Sequence, residues 1–231
     1  RGPLWWAGHH REHHMTSDTE ADPHSPAWQG FWFSHTLWFL TRGTHAMPER
    51  RVRDWLRYPE LVWLERFDWI PFVMLAAGCF GLGAVIETLW PESGTSGAQM
   101  LVVGFFWSTV ALYHGTYATN SLAHLFGTRR FDTTDDSRNN FWVALITLGE
   151  GWHNNHHHYP VAARHGFVWW ELDITWLGLL VMRRLGLIAD FKLVPEHVMA
   201  RQISQSAAVT ERADDEDVKM TPAMATEQQR S

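Results

Sequence analysis

The chain has 231 residues, room for one domain or two, and a formal net charge of −6, which offers no basic footprint for nucleic acid. A single cysteine, Cys79, excludes both a disulfide framework and a cysteine-rich zinc site. The 15 tryptophans, many beside apolar runs, suit a membrane–water interface.

The chain opens at Arg1 inside a stretch that reads as structured, so we expect a fragment or a processed chain. "HHREHH" follows at once. His10, His13 and His14 stand at i, i+3 and i+4, a spacing that puts their rings on one helix face. "WQGFWFSHTLWFL", Trp28 to Leu40, is apolar but short for a span and is expected to be interfacial or re-entrant.

"WIPFVMLAAGCFGLGAVIETLW", Trp69 to Trp90, has the length and composition of a transmembrane helix, with a tryptophan at each end. A short polar loop leads to a second expected span, about 99–126. Arg and Lys are missing from Pro91 to Ala98. They occur on both flanks, at Arg42, Arg50, Arg51, Arg53, Arg57 and Arg66 before and at Arg129, Arg130 and Arg138 after. The positive-inside rule puts both outer ends of this hairpin in the cytoplasm. Tyr113, Thr116, Tyr117, Asn120 and His124 form a polar stripe along one face of the second span.

"GEGWHNNHHHYP" repeats the spacing with His153, His156 and His157. Two such triplets on separate segments argue for a metal centre approached from two sides, and neutral imidazole suits iron, zinc, copper or nickel. His124, aligned with Asn120 on the stripe, is a further ligand candidate. "FVWWELDITWLGLLVMRRLGL", Phe167 to Leu187, is expected to form an amphipathic surface helix. The polar residues 202–231 read as a disordered tail, leaving 1–201 as the domain. His24 reads as a turn residue; His35, His45, His165 and His197 read as interface or surface residues.

In order, "HREHH", "SDTEADPHSP", "NSLAHLFG" and "GEGWHNNHH" resemble the membrane fatty acyl desaturases, closest to the delta-9, stearoyl-CoA type, over about Gly2 to Leu193. The resemblance implies an all-α integral membrane fold, in which a transmembrane hairpin carries a cytosolic helical cap with the histidine boxes. It also implies two Fe2+ ions, held here by His10, His13, His14, His124, His153, His156 and His157, with Asn120 holding a water. Zinc is a substitute metal and O2 the co-substrate. An HxxxxH box before Arg1 should add two ligands, so these residues alone are expected to be inactive.

The substrate implied is acyl-CoA, with an acyl-lipid left open. Electrons are expected from a small haem cytochrome or a ferredoxin with its NAD(P)H reductase. His114 is a candidate for the acyl tunnel wall, with Tyr113, Thr116 and Tyr117. Ring-orienting partners are sought among Asp18, Glu150, Asn154 and Asn155. The rival readings are a hydroxylase or ketolase with the same histidine boxes, and a non-catalytic zinc-binding membrane protein.

Overall fold

The computed structural model describes residues 1–199, so residues 202–231 lie outside the described part. It is all-helical, with no strand among the described residues. Helix α1 (Pro3–Thr16) starts with Pro at its first turn and lacks a side-chain cap of its own. The cap comes from elsewhere: Glu65 Oε2 accepts the backbone N–H groups of Leu4 (2.8 Å) and Trp5 (2.9 Å). These two donors have no partner inside the helix, so a carboxylate there also meets the positive end of the helix dipole.

Leu4 and Ala7 bury against Val52, with Met47, Trp55, Leu56 and Leu61 around them. Opposite charges tie the polar side of α1 to the same segment: Arg11 pairs with Asp54 at 2.7 Å, and Glu12 pairs with Arg50 and Arg51.

The apolar stretch from Trp28 to Leu40 is broken into a short helix α2 (Pro26–Gln29), a π-helical turn (Phe33–Leu37) and a 3₁₀ turn (Trp38–Leu40). It packs against the later histidine-bearing helix and across α1, where Trp38 stacks on Trp5 at 5.7 Å. Helix α3 (Pro59–Arg66) supplies Leu61 and Glu65 to α1 and leads into α4 (Ile70–Leu89).

Helix α4 is the one helix among the described residues that is long and apolar enough to cross a membrane, and only 6% of its apolar window is buried. Helix α5 (Gly97–Met100) is capped by Ser96, whose side chain accepts the Gln99 N–H. A π-helical stretch (Leu101–Trp107) then runs into α6 (Ser108–Leu125). The expected second span is thus helical throughout but not uniform. Its C-terminal half trades apolar residues for the stripe ending in Asn120 and His124, both buried. The segment from Gly97 packs antiparallel on α4. Gly83 permits the approach, since a Cβ there would sit 2.5 Å from the Ser96 carbonyl oxygen.

Helices α7 (Phe141–Ile146) and α8 (His153–His158) follow, joined by a tight turn. A Cβ on Gly151 would overlap the Ala144 amide, so only glycine lets the turn lie this close to α7. Helix α9 (Ile174–Arg184) corrects one expectation. Residues 167–173 are not helical, because Asp173 caps α9 through the Trp176 N–H and also accepts the His165 and Gly166 amides. Glu171 and Asp173, expected on a solvated helix face, are buried.

Removing the Glu65 carboxylate strands two amides at the start of α1. Glu65→Ala is expected to lower stability by about 1–2 kcal/mol, with Glu65→Gln losing less. Denaturant unfolding in detergent checks this, and an unchanged midpoint for Glu65→Ala refutes the cap.

Candidate metal centre

Three helices converge on the C-terminal end of α6. Helix α1 brings His10, His13 and His14; α6 brings His124; α8 brings His153, His156 and His157. Their ligand atoms fall into two groups, each within 4.8 Å: His13, His124, His153 and His157 in one, His10, His14 and His156 in the other. Each triplet splits the same way. Its i and i+4 members stay in one group and its i+3 member crosses to the other. At about 100° per residue, i and i+4 lie only about 40° apart on the helix, while i+3 lies about 60° to the other side.

In the smaller group the three Nε2 atoms form a triangle with edges of 3.1 Å (His10–His14), 3.1 Å (His10–His156) and 2.9 Å (His14–His156). Each imidazole has a single Nε2 site, so protons cannot satisfy three mutual N···N contacts at once. A first-row cation fits: metal–nitrogen bonds of about 2.0–2.1 Å meeting near right angles give edges of about 2.9 Å.

In the larger group carboxylates define the tautomer. His13 Nδ1 meets Asp22 Oδ2 at 2.9 Å, His124 Nδ1 meets Asp18 Oδ2 at 2.7 Å and His157 Nδ1 meets Asp135 Oδ2 at 2.8 Å. An Nδ1–H that donates to a carboxylate leaves Nε2 as a bare lone pair. The His157 Nε2 atom is buried without a partner, and His124 Nε2 lies 3.0 Å from His153 Nε2. The donor set therefore suits a cation in both groups.

Burial, then the neighbouring imidazoles, pushes His10 down from 6.5 to about 3 and His14 to about 2. The same causes lower His153, His156 and His157 well below 6.5. These rings stay neutral, as metal ligands must. Burial alone would raise the Asp18 carboxyl, but its bond to His124 and the Asp136 amide hold it below its usual range.

Helix α8 is short and is held by the two asparagines between its histidines. Asn154 is fully buried; its Oδ1 accepts the Arg130 and Phe131 amides at 2.9 and 2.8 Å, and its Nδ2 donates to the Phe131 carbonyl. Asn155 donates to the His165 carbonyl and to Glu171 Oε2, and accepts from Asn139. Both asparagines thus set the rotation of α8 without touching the rings. Asp18 does bind a ring, whereas Glu150 remains exposed.

Asp22 and Asp135 were not anticipated. Their signal is present, an acidic residue in each loop flanking the boxes, but the loops' folding decides which carboxylate reaches which ring. Asp18 takes a left-handed backbone, φ 55°, to do so.

Three further histidines are not the turn or surface residues expected. His24 is buried, with its ring 4.2 Å from His13 and 4.7 Å from Trp38. His165 stacks on His156 at 4.4 Å. His35 is buried and bonds Ser121 Oγ at 2.8 Å. His114 meets His35 Nε2 at 3.1 Å and does not line the nearby cavity.

That cavity holds about 600 Å3 and is walled mainly by aromatic and apolar residues, Tyr113, Thr116 and Tyr117 of α6, Trp5 and Trp6 of α1, and Trp38, Phe39, Leu40 and Phe72, with Arg1 and Asp68 also in its lining. Trp6 also stacks on His10 at 6.1 Å, so the cavity abuts the histidine groups. Asn120 is buried one turn before His124.

An all-helical chain with a carboxylate-backed polyhistidine site beside an apolar cavity defines the class. The family is shown by comparison: the fatty acid desaturase family model matches residues 1–182, and the chain belongs to that family. Among its relatives are an sn-2 palmitoyl-lipid 9-desaturase of Nostoc, 39% identical over 80% of this chain and 62% of the relative, and an sn-1 stearoyl-lipid 9-desaturase of Anabaena variabilis, 39% identical over 83% and 66%. An acyl-CoA 5-desaturase of Anemone leveillei is 36% identical over 91% of this chain and 62% of the relative. The chain thus spans about two thirds of the length of these relatives or less.

In the metal-free protein, each lowered histidine takes a proton in the unfolded chain before it does in the folded one. Their stabilisation is complete above pH 6.5 and is lost as pH falls toward the folded values, about 3 for His10 and about 2 for His14. The unfolding midpoint of chelator-treated protein should therefore fall on acidification below 6.5. A flat profile down to pH of about 4 rules out neutral buried rings.

Proposed function

We propose that this chain forms the metal-bearing part of a membrane di-iron desaturase that introduces a cis double bond, at Δ9, into a saturated acyl chain carried on a membrane lipid. The observation behind this reading is the pair of imidazole groups whose lone pairs face common points beside an apolar cavity. The similarity to 9-desaturases of palmitoyl- and stearoyl-lipids favours the lipid-borne chain over acyl-CoA.

Bound iron would supply the oxidising power to remove hydrogen from an unactivated methylene, using O2. Desaturation removes two hydrogens from the acyl chain and reduces O2 to two waters, with two electrons and two protons from outside. The electron source is an external carrier, a small haem cytochrome or a ferredoxin served by an NAD(P)H reductase.

The protein's own residues hold, orient and shield. Asp18, Asp22 and Asp135 keep the proton on Nδ1 of His124, His13 and His157, aiming each Nε2 inward. Asn120, one turn before His124, would hold a water at the centre. Tyr113, Thr116, Tyr117 and the tryptophans of the cavity position the acyl chain and exclude bulk water.

We infer that α4 and residues 97–125 cross the membrane as a hairpin, with the histidine groups on the cytoplasmic side. Their exposed side chains, such as Val73, Leu82, Val103, Phe106 and Leu112, are apolar, as lipid contact demands.

The protein carrying this chain, expressed in a host lacking monounsaturated fatty acids, should restore a Δ9 double bond in lipid-bound acyl chains, and His153→Gln should abolish it. Hydroxylated or ketone products, or activity without iron, overturn the proposal. Asp135→Asn should weaken iron binding about 10–100-fold while leaving the protein folded; unchanged affinity removes the orienting role.

The topology has its own test. In a Cys79→Ser background, Ser96→Cys should react with an impermeant thiol reagent from outside intact cells. Labelling of Thr134→Cys, at an exposed position after α6, would instead invert the orientation.

A further inference from the structure

We propose that α3 carries a binding site for the anionic headgroup of a cytoplasmic-leaflet phospholipid, in the groove flanked by Arg57 and Arg66. The proposal rests on the reading that α4 crosses the membrane, because that places α3 at the bilayer surface.

Helix α3 is amphipathic in an unusual sense, since neither of its sides is solvated in the ordinary way. One side is clamped to α1 by the half-buried Leu61, packed against the core, and by Glu65 on the α1 amides. The other presents Val62, Trp63 and Arg66, at i, i+1 and i+4, to the outside. Val62 is 40% and Trp63 48% exposed, large apolar surfaces for a helix with a partner on only one side. Beside them a groove of about 420 Å3 is lined by Leu56, Arg57, Pro59, Val62, Trp63, Arg66 and Phe67.

Its chemistry is that of an interface: apolar and aromatic walls with two guanidinium groups. Both arginines are steadied by rings, Arg57 lying 5.0 Å from the Tyr58 ring centre and 3.1 Å from its hydroxyl, and Arg66 lying 5.4 Å from the Phe67 ring centre. Tryptophan and arginine are the residues that sit at headgroup depth.

No carboxylate lines the groove. The acidic neighbours face other partners: Asp54 pairs with Arg11, and Glu65 caps α1. Glu60 sits in the first turn of α3, outside the lining. Two guanidiniums with no ion-pair partner among the described residues are matched by a phosphate, which guanidinium binds with paired N–H donors. A soluble anion would not need the exposed Trp63 and Val62, whereas a phospholipid uses both halves of the groove. Phe67 is three residues before Ile70, so the groove opens at the foot of α4, where the headgroups lie.

The test is equilibrium binding of a labelled phosphatidylglycerol to the purified protein in a neutral detergent, with phosphatidylcholine and inorganic phosphate as controls. Saturable binding is expected, weakened about fivefold by Arg57→Gln or Arg66→Gln and about 25-fold by both. Arg57→Lys/Arg66→Lys should keep part of it, and inorganic phosphate should not displace the lipid. Equal affinity for phosphatidylcholine, or a double Gln variant that binds as the parent does, overturns the proposal. So does displacement by inorganic phosphate, which would mark a free-anion site. Flotation with phosphatidylcholine vesicles separates the two readings. A protein that fails to float contradicts the membrane hairpin, whereas one that floats yet shows no headgroup preference contradicts the α3 site alone.

Discussion

Everything in this molecule depends on keeping imidazole lone pairs pointed at one another in a dry interior. Three Nε2 atoms at 2.9–3.1 Å, and another pair at 3.0 Å, repel unless a cation lies among them. The protein holds that arrangement from behind. Each of three rings donates Nδ1–H to a carboxylate from a neighbouring loop, which fixes the tautomer and the tilt. Burial depresses proton affinity, so protons compete poorly for the same lone pairs.

The supporting structure is organised by that demand. Helix α8 is too short to be stable by itself, and its orientation comes from side chains bonded to backbone. Asn154 and Asn155 lock it to the loop after α6, while Glu171 joins Asn155, Arg130 and the Phe167 amide. Polar groups buried this deeply need complete hydrogen bonding, and their mutual satisfaction makes the site rigid. The same logic explains why α1 borrows its cap from α3: the helix with the first histidine triplet cannot drift without exposing two amides.

Away from the histidines the surface is largely apolar. Helix α4 and the segment packed on it expose mostly apolar side chains, while Tyr117 of the polar stripe packs on Phe39 and His35, and Asn120 and His124 are buried. The last turn of α6 delivers His124 to the carboxylate-backed group, while Tyr113, Thr116 and Tyr117 of the same helix wall the cavity.

Much of this was legible in the residue order alone. The doubled i, i+3, i+4 spacing marked both histidine helices, because side-chain direction on a helix follows from periodicity. The length and composition of Trp69 to Trp90 marked α4, because apolar burial scales with run length. What periodicity does not carry is contact between distant segments. It could not say that each triplet divides, with His13 and His156 crossing between groups. Nor could it pick Asp22 and Asp135 from the acidic residues nearby, or turn Phe167 to Asp173 from an expected helix into a loop that buries Phe167, Glu171 and Asp173. It also left His24 looking like a turn residue, and His35 and His165 like interface or surface residues. Those outcomes depend on loops closing over many residues, where a carboxylate's partner is chosen by three-dimensional reach. Local pattern thus determined which residues could be ligands, and tertiary packing alone decided which nitrogen faces which, since a hydrogen bond is set by distance in space and not along the chain.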